Sequence, residues 1–331
     1  MIPTKDVDQR CFIRSLLKLP AIVALILIGW LPVSSNAFEI LLGTGEAGTF
    51  SHYTGRILCR VINNHTDGVQ CEMVPEPDAV DLLTNLRGGS LDIGLVDARM
   101  LLDAISRKGN FEFLDIDYTN LRILIPLYDV PVTLAARPDA GIGSLNDLKG
   151  KRINAGAPRS AEHRAVEIIM GAKGWSEKDF PLVQGFSSSQ SEDSMAFCHG
   201  TIQAMVRIGV HPNASLQQLI ELCNANLVNM DDGDIDKMIL AHGSFSKITI
   251  PAGTYPSQGK PVTTFGTKML LIASQDFDEE TAYSIIDAIY RNQKRLKNAH
   301  PALSSLTPDA ARNYNINLQR HPGAVRYFSG P

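Results

Sequence analysis

Short apolar runs alternate with helix-like periodicity along most of the chain after residue 37. The first part of this pattern predicts strands at 38–42, 69–74 and 91–96, with a helix in each interval. The first helix carries Ile57, Leu58, Val61 and Ile62 at core spacing, and the second, near 78–87, ends at Gly88-Gly89. A β-α-β-α-β order of this kind is typical of one doubly wound α/β half.

The same order recurs downstream, and this repetition predicts two lobes. We expect strands at 151–156, 180–186 and 201–208 and helices at 160–173 and 191–199. Two long extended segments, 121–136 and 262–274, are the natural crossings between the lobes. The predicted fold class is therefore α/β, with two doubly wound lobes joined by two crossing strands. Lobe one comprises 38–130 and 265–331, including a helical C-terminus, and lobe two comprises 131–264.

The N-terminal segment predicts export. Arg10, Arg14 and Lys18 precede an uncharged apolar run over 21–31, and Ser35-Asn36-Ala37 supplies small residues for cleavage after Ala37. We therefore expect 1–37 to be a signal peptide. The alternative is an uncleaved anchor, which would need about 20 apolar residues to span a bilayer.

Composition and charge narrow the range of functions. The formal net charge is −4 with acidic and basic residues mixed along the chain, so we expect no nucleic-acid partner. The sequence contains no H-E-x-x-H or G-x-S-x-G motif and no catalytic Cys–His signature. We therefore expect neither an enzyme nor a metal site, and no cofactor.

Four cysteines follow the predicted signal peptide. An even number in an exported chain favours disulfides. Cys59 lies at the end of the first predicted helix and Cys71 in the second strand, while Cys198 and Cys223 each lie near an element end. We predict the pairs Cys59–Cys71 and Cys198–Cys223. The alternative is four buried thiols; a zinc site is disfavoured because no pair has C-x-x-C spacing.

A glycine-rich loop follows the first strand. Gly43, Gly45 and Gly48 fit G-x-G-x-x-G between a strand and a helix, a pattern that cradles anions. A dinucleotide site also requires an acidic residue about 20 residues further on, and Glu72 and Glu76 lie somewhat beyond that distance. Because an exported protein has no ready supply of nicotinamide cofactor, the loop favours a solute receptor over a nucleotide enzyme.

Several motifs resemble the TAXI-type solute receptors of TRAP (tripartite ATP-independent periplasmic) transporters. They comprise Gly43-Thr44-Gly45, the segment 59–63 with Cys71, the segment 144–152, Cys198 with Gly200 and Cys223, the segment 250–255, and His321-Pro322-Gly323-Ala324. The resemblance covers 38–328. It implies a type II periplasmic-binding-protein fold and capture of a small carboxylate or amino acid. It also implies a periplasmic location and delivery of the solute to TRAP membrane subunits.

The chain departs from the family pattern where a ligand should lie. Glu76-Pro77-Asp78 replaces small hydrogen-bond donors, Asp97-Ala98-Arg99 replaces Q-S-D, and Pro158-Arg159-Ser160 replaces P-G-S. Acids on one wall and guanidinium groups on the other fit a zwitterion such as an amino acid. The alternative is internal Arg–Asp pairing without a ligand role.

We therefore predict a monomeric solute-binding protein. The expected ligand contacts come from the first loop, the other strand ends of lobe one, and lobe two; they are Thr44, Glu46, Thr49, Ser51, Asp78, Asp97, Arg99, Arg159, Ser160, Arg207 and His211. A sensor or interaction protein on the same fold is the alternative function, followed by a nucleotide-binding enzyme.

Overall fold

The computed structural model describes residues 38–158, 160–185 and 190–330. The predicted signal peptide, its cleavage after Ala37, and Arg159 lie outside these ranges. Within the described part of the chain, no helix is both long and apolar enough to span a membrane.

Strands and helices alternate along most of the described chain. The strands are β1 Phe38–Thr44, β2 Val69–Pro75, β3 Ile93–Asp97, β4 Leu121–Ala136, β5 Arg152–Asn154, β6 Leu182–Gln184, β7 Ala204–Ile208, β8 Asn226–Leu227, β9 Ser246–Ile250 and β10 Val262–Ser274. The helices are α1 Phe50–His65, α2 Ala79–Gly88, α3 Ala98–Ile105, α4 Ala161–Lys173, α5 Gln190–Cys198, α6 Ala214–Cys223, α7 Gly233–Ala241, α8 Glu279–Arg291, α9 Gln293–Ala299, α10 Pro308–Asn313 and α11 Pro322–Ser329.

The strands form a sheet in the order β2-β1-β3-β10-β4-β7-β5-β6. Strands β2, β1 and β3 are parallel and make up the first half-sheet; β7, β5 and β6 are parallel and make up the second. The long antiparallel strands β4 and β10 join the two half-sheets, and their bounds match the predicted crossings. Strand β3 begins two residues later than predicted because Asp92 is held in a turn, where its carboxylate accepts the Leu41 N–H at 2.7 Å.

Helices cover both faces of each half-sheet. On the first half-sheet, α1 and α8 pack around Ile40 and Leu42, and the opposite face packs against α2 and α3. On the second half-sheet, one face packs against α4 and α7 and the other against α5 and α6. The C-terminal helices α8 and α11 pack in the same apolar cluster as β1 and α1 of the first half-sheet.

Two disulfides connect neighbouring elements, and both predicted pairs are confirmed. Cys59–Cys71 joins α1 to β2 with a Cα–Cα distance of 5.0 Å. Cys198–Cys223 joins the ends of α5 and α6 with a Cα–Cα distance of 5.2 Å. The Asn63 side chain reinforces the first junction by accepting the Cys71 N–H at 2.6 Å and donating to the Cys71 carbonyl at 3.1 Å.

The crossing strands approach closely near their centres. Gly266 of β10 lies opposite Pro131 of β4, and a Cβ at this glycine would lie 2.7 Å from the Pro131 Cα. The Thr264 hydroxyl donates to the Val132 carbonyl beside it. A side chain larger than hydrogen at residue 266 would therefore push the two backbones apart.

Candidate ligand-binding site

The carboxyl ends of strands from both half-sheets converge on the middle of the crossing strands. Asp97, the last residue of β3, lies opposite Met269 of β10. Ile208, the last residue of β7, lies opposite Val132 of β4. Because Val130 and Pro131 of β4 pair with Thr267 and Gly266 of β10, both strand ends reach the same central stretch. Open α/β sheets bind ligands beside the carboxyl ends of their strands, so this region is the candidate site.

The glycine-rich first loop is closed by its own side chains. Thr49 caps α1 by accepting the His52 N–H at 3.3 Å, and its hydroxyl donates to the Glu46 carbonyl at 2.7 Å. The Ser51 hydroxyl accepts the Gly45 N–H at 3.1 Å. Thr44 is fully buried, with its hydroxyl 3.1 Å from His52 Nδ1, whereas the Glu46 side chain is exposed. The loop therefore uses the Gly45 N–H internally.

Three further predicted site residues cap helices. Asp78 accepts the Val80 N–H at 2.7 Å at the start of α2, where its side chain is exposed. Asp97 accepts the Arg99 N–H at 2.9 Å at the start of α3. Ser160 accepts the His163 N–H at 3.1 Å at the start of α4. One oxygen of each side chain therefore satisfies a helix N–H group.

Asp97 also contacts a crossing strand. Its second carboxylate oxygen accepts a hydrogen bond from the Thr267 hydroxyl of β10. Burial raises the pKa of the Asp97 carboxyl, while the hydrogen bonds from Thr267 and the Arg99 N–H and the charge of Arg99 act in the opposite direction. Asp97 therefore links the end of β3 to β10 at the centre of the candidate site.

His211 belongs to a hydrogen-bonded chain after β7. Its Nδ1 lies 2.5 Å from the Tyr255 hydroxyl, its Nε2 lies 2.9 Å from the Thr133 hydroxyl, and the Asn213 N–H donates to Tyr255 at 2.8 Å. Burial lowers the pKa of His211 to about 4, so the ring is neutral at pH 7. Since Tyr255 accepts the Asn213 N–H, we assign its own proton to Nδ1, which places the histidine proton on Nε2 facing Thr133.

Two of the three predicted arginines, Arg99 and Arg207, lie in the described residues, and both have acidic neighbours. Arg207 of β7 pairs with Asp193 of α5 at 3.0 Å, and both side chains are largely buried. Arg99 of α3 contacts Asp103 one turn further on, with 3.5 Å between Nε and the carboxylate. Internal Arg–Asp pairing, the alternative weighed from the sequence, is therefore present at both positions.

A cavity of about 350 Å³ opens beside Arg99. The segment from α3 to Phe111 forms one wall, and Arg164 of α4 with the turn from Ala241 to Phe245 forms the other. The Arg99 guanidinium lies over the Phe245 ring, 5.6 Å from its centre. This volume falls within the usual range for small-molecule sites, about 300–1,000 Å³.

Sequence reasoning missed several residues that the fold brings to this region. Thr133 and Thr267 lie within the crossing strands. Threonine is common inside strands, so nothing in the sequence distinguishes these two residues from ordinary strand residues. Arg164 lies in the first turn of α4, and this position at a helix start was the one feature of the sequence that pointed to a ligand contact. A single arginine on a helix indicates little by itself. Among the described residues, no cluster of His, Cys, Asp or Glu could hold a metal ion.

Comparison with known proteins identifies a family for this chain and solved structures with a similar fold. Residues 42–330 match the NMT1-like family. A TctC solute-binding protein from Polaromonas is 14% identical, with a TM-score of 0.55 over 85% of this chain and 89% of that one. The periplasmic aliphatic sulphonate-binding protein SsuA from Escherichia coli is 13% identical, with a TM-score of 0.47 over 88% and 78%. PhnD1 from Prochlorococcus marinus, solved with methylphosphonate, is 14% identical, with a TM-score of 0.45 over 77% and 85%. The fold is the α/β type II fold of periplasmic binding proteins.

Proposed function

The chain belongs to the NMT1-like family, and we propose that it is a periplasmic solute-binding protein that captures a small organic solute between its two half-sheets. The observation that carries this proposal is the convergence of β3 and β7 on the centre of β4 and β10. Polar and charged side chains from both half-sheets meet there, beside a cavity large enough for a small molecule.

The two half-sheets with their helices are proposed as two lobes. The first comprises residues 38–130 and 265–331, and the second comprises 131–264. Separate hydrophobic clusters on each half-sheet support this division. Among the described strands, β4 and β10 alone join the half-sheets, so a small change near Gly266 would let the lobes close around a solute.

The proposed solute is a small carboxylate or an amino-acid-like compound. Arg99 and Arg207 supply guanidinium groups near the strand ends, and guanidinium groups bind carboxylates through paired hydrogen bonds. Asp97 and His211 supply further polar contacts at the centre of the site. The function is binding without chemical change, as in the solute-binding proteins whose structures this chain resembles.

Delivery to TRAP membrane subunits completes the proposal. The resemblance to TAXI-type receptors supports it, as does the predicted export of the chain after removal of residues 1–37. Proteoliposomes that contain TRAP membrane subunits test this step. Uptake should require both the receptor and an ion gradient; uptake without the receptor would contradict it.

Thermal unfolding of the purified, disulfide-intact protein tests solute capture. The panel contains carboxylates, amino acids, sugars and nicotinamide nucleotides. A ligand that binds only the folded state adds about 2.7 kcal/mol of stability at 100 times its dissociation constant, so a true solute should raise the melting temperature clearly. Stabilisation by a carboxylate or amino acid supports the proposal, whereas stabilisation by nucleotides alone, or by nothing in the panel, contradicts it.

A further inference from the structure

The cavity beside α3 brings together two guanidinium groups from opposite half-sheets. Arg99 extends from the first turn of α3, after β3, and Arg164 extends from the first turn of α4, after β5. Burial lowers the pKa of the Arg164 guanidinium and the positive charge of Arg99 acts in the same direction, whereas Asp103, Glu162 and Glu167 act against it. Like charges on facing walls repel each other, so an anion between them would lower the energy of this arrangement.

The remaining charges of the lining favour an anion. Lys108 adds a third cation, and Asp103 is the single carboxylate among the described lining residues. Asp103 contacts Arg99 through Nε, and neither Nη nitrogen of Arg99 has a hydrogen-bond partner among the residues that the structure describes. Arg99 therefore keeps donors for a carboxylate while Asp103 occupies one side of it.

Apolar side chains form part of the remaining lining, together with the polar residues Ser106, Asn110, His242 and Ser244. Phe245 lies under the Arg99 guanidinium, and Met100 and Phe111 line the wall formed by α3 and the segment after it. An aromatic face beside a guanidinium group can hold a planar apolar group of a ligand while the arginine binds its charged end. The surface therefore suits a molecule that is anionic at one end and apolar at the other.

We propose that this cavity selects a monocarboxylate with an aromatic or bulky apolar body and no ammonium group, held between Arg99 and Arg164 against Phe245. This inference rests on the proposed function and names its solute class. Within the described lining, an α-ammonium group would meet two guanidinium groups and a lysine, and the one lining carboxylate, Asp103, already contacts Arg99. A zwitterion is therefore the poorer ligand here, in contrast to the expectation from the sequence.

Isothermal titration of the purified, disulfide-intact protein tests the proposal with three matched probes. 3-Phenylpropionate carries the apolar body and the carboxylate, L-phenylalanine adds only the α-ammonium, and propionate removes only the ring. We expect 3-phenylpropionate to bind at least about tenfold more tightly than either of the others.

Arginine variants locate the site. R99Q and R164Q should each weaken 3-phenylpropionate binding about tenfold or more, because each removes a charge-assisted hydrogen bond. R291Q is the matched control, since Arg291 is an exposed arginine of α8 paired with Asp287, and it should bind like the wild type. R164K keeps the charge and replaces R164Q in the test if R164Q does not fold. Thermal unfolding of each variant confirms that it is folded.

Two results would overturn this inference while leaving the proposed function intact. One is tighter binding of L-phenylalanine or propionate than of 3-phenylpropionate. The other is a panel solute whose affinity is the same in the wild type, R99Q and R164Q. Absence of binding by every carboxylate and amino acid tested would instead remove the proposed function and this inference together.

Discussion

At the scale of single residues, most polar side chains at the strand ends serve the backbone. Thr49, Asp78, Asp97 and Ser160 each accept an N–H from the first turn of a helix. Helix caps and anion ligands are drawn from the same residue types at the same places. The sequence could therefore predict where polar groups would gather, but it could not separate a cap such as Asp78 from a ligand contact.

His211 should make the stability of the protein pH-dependent. Its pKa is lowered to about 4 by burial, against an ordinary value of 6.5. Between these two values the unfolded chain binds more protons than the folded protein. The contribution of His211 to the free energy of unfolding is therefore fully present above pH 6.5 and is lost as the pH falls toward 4. Between pH 7 and pH 5 we expect His211 to account for a loss of about 1.8 kcal/mol in the free energy of unfolding.

Urea unfolding at pH 7 and pH 5 measures this contribution. His300 and His321 also have lowered pKa values because of burial, so the informative quantity is the difference between variants. H211Q should lose less stability between the two pH values than the wild type. H65Q, which changes an exposed histidine at the end of α1, should retain the wild-type loss. Equal losses in H211Q and the wild type would show that this ring is not kept neutral by folding.

At the scale of elements, the crossing strands depend on one glycine. G266A should reduce the free energy of unfolding by about 1–3 kcal/mol, because the added methyl would meet the backbone of β4 and the Ile248 side chain. G259A is the matched control, since nothing lies within 4 Å of a Cβ at that position. Chemical denaturation compares the two variants. Equal stability of G266A and G259A would mean that β4 and β10 can move apart at residue 266 without a loss in the free energy of unfolding.

The disulfide between α5 and α6 should stabilise the fold through the unfolded chain. It closes a separation of 25 residues, and the loop-entropy model then gives about 3.5 kcal/mol. Replacing Cys198 and Cys223 together with alanine should lower the urea midpoint accordingly. A thiol count on the denatured, unreduced wild type should find no free thiols beyond any at Cys11. An unchanged midpoint in the double variant would show that the bridge does not restrict the unfolded chain.

At the scale of the whole molecule, periodicity predicted the fold well. The bounds of β4 and β10 agreed because apolar and β-branched residues dominate both runs, although Pro126 and Pro131 interrupt β4 and Gly266 interrupts β10. The site was harder to predict because its contacts join residues that are far apart in the sequence. Thr267 meets Asp97, and Phe245 meets Arg99, across separations that no local pattern encodes. Tyr255 belonged to a motif noted in the sequence, but its contact with His211 required the fold.

His300 holds parts of both half-sheets together. Its ring accepts the Ala302 N–H through Nδ1 at 3.1 Å and packs on Phe50 with 4.5 Å between ring centres. Burial lowers the pKa of His300, and the neighbouring Pro212 backbone acts in the opposite direction. H300A should therefore speed hydrogen exchange of the amides around residues 209–213 by about five- to tenfold, the loss expected when one polar contact is removed. H242A, in the exposed turn after α7, is the control. Unchanged exchange in H300A would show that the loop is held by other contacts.

The position of β10 also determines the order in which the chain can fold. Strand β10 lies between β3 and β4, although every other strand in the described part of the chain precedes it in the sequence. The strands of the second half-sheet, with β8, are complete once Leu227 has been made, whereas the first half-sheet still lacks β10 and the core helix α8. The part of the protein that is synthesised first is therefore finished last. Until then its apolar face stays open to chaperones, to proteases and to other copies of the chain.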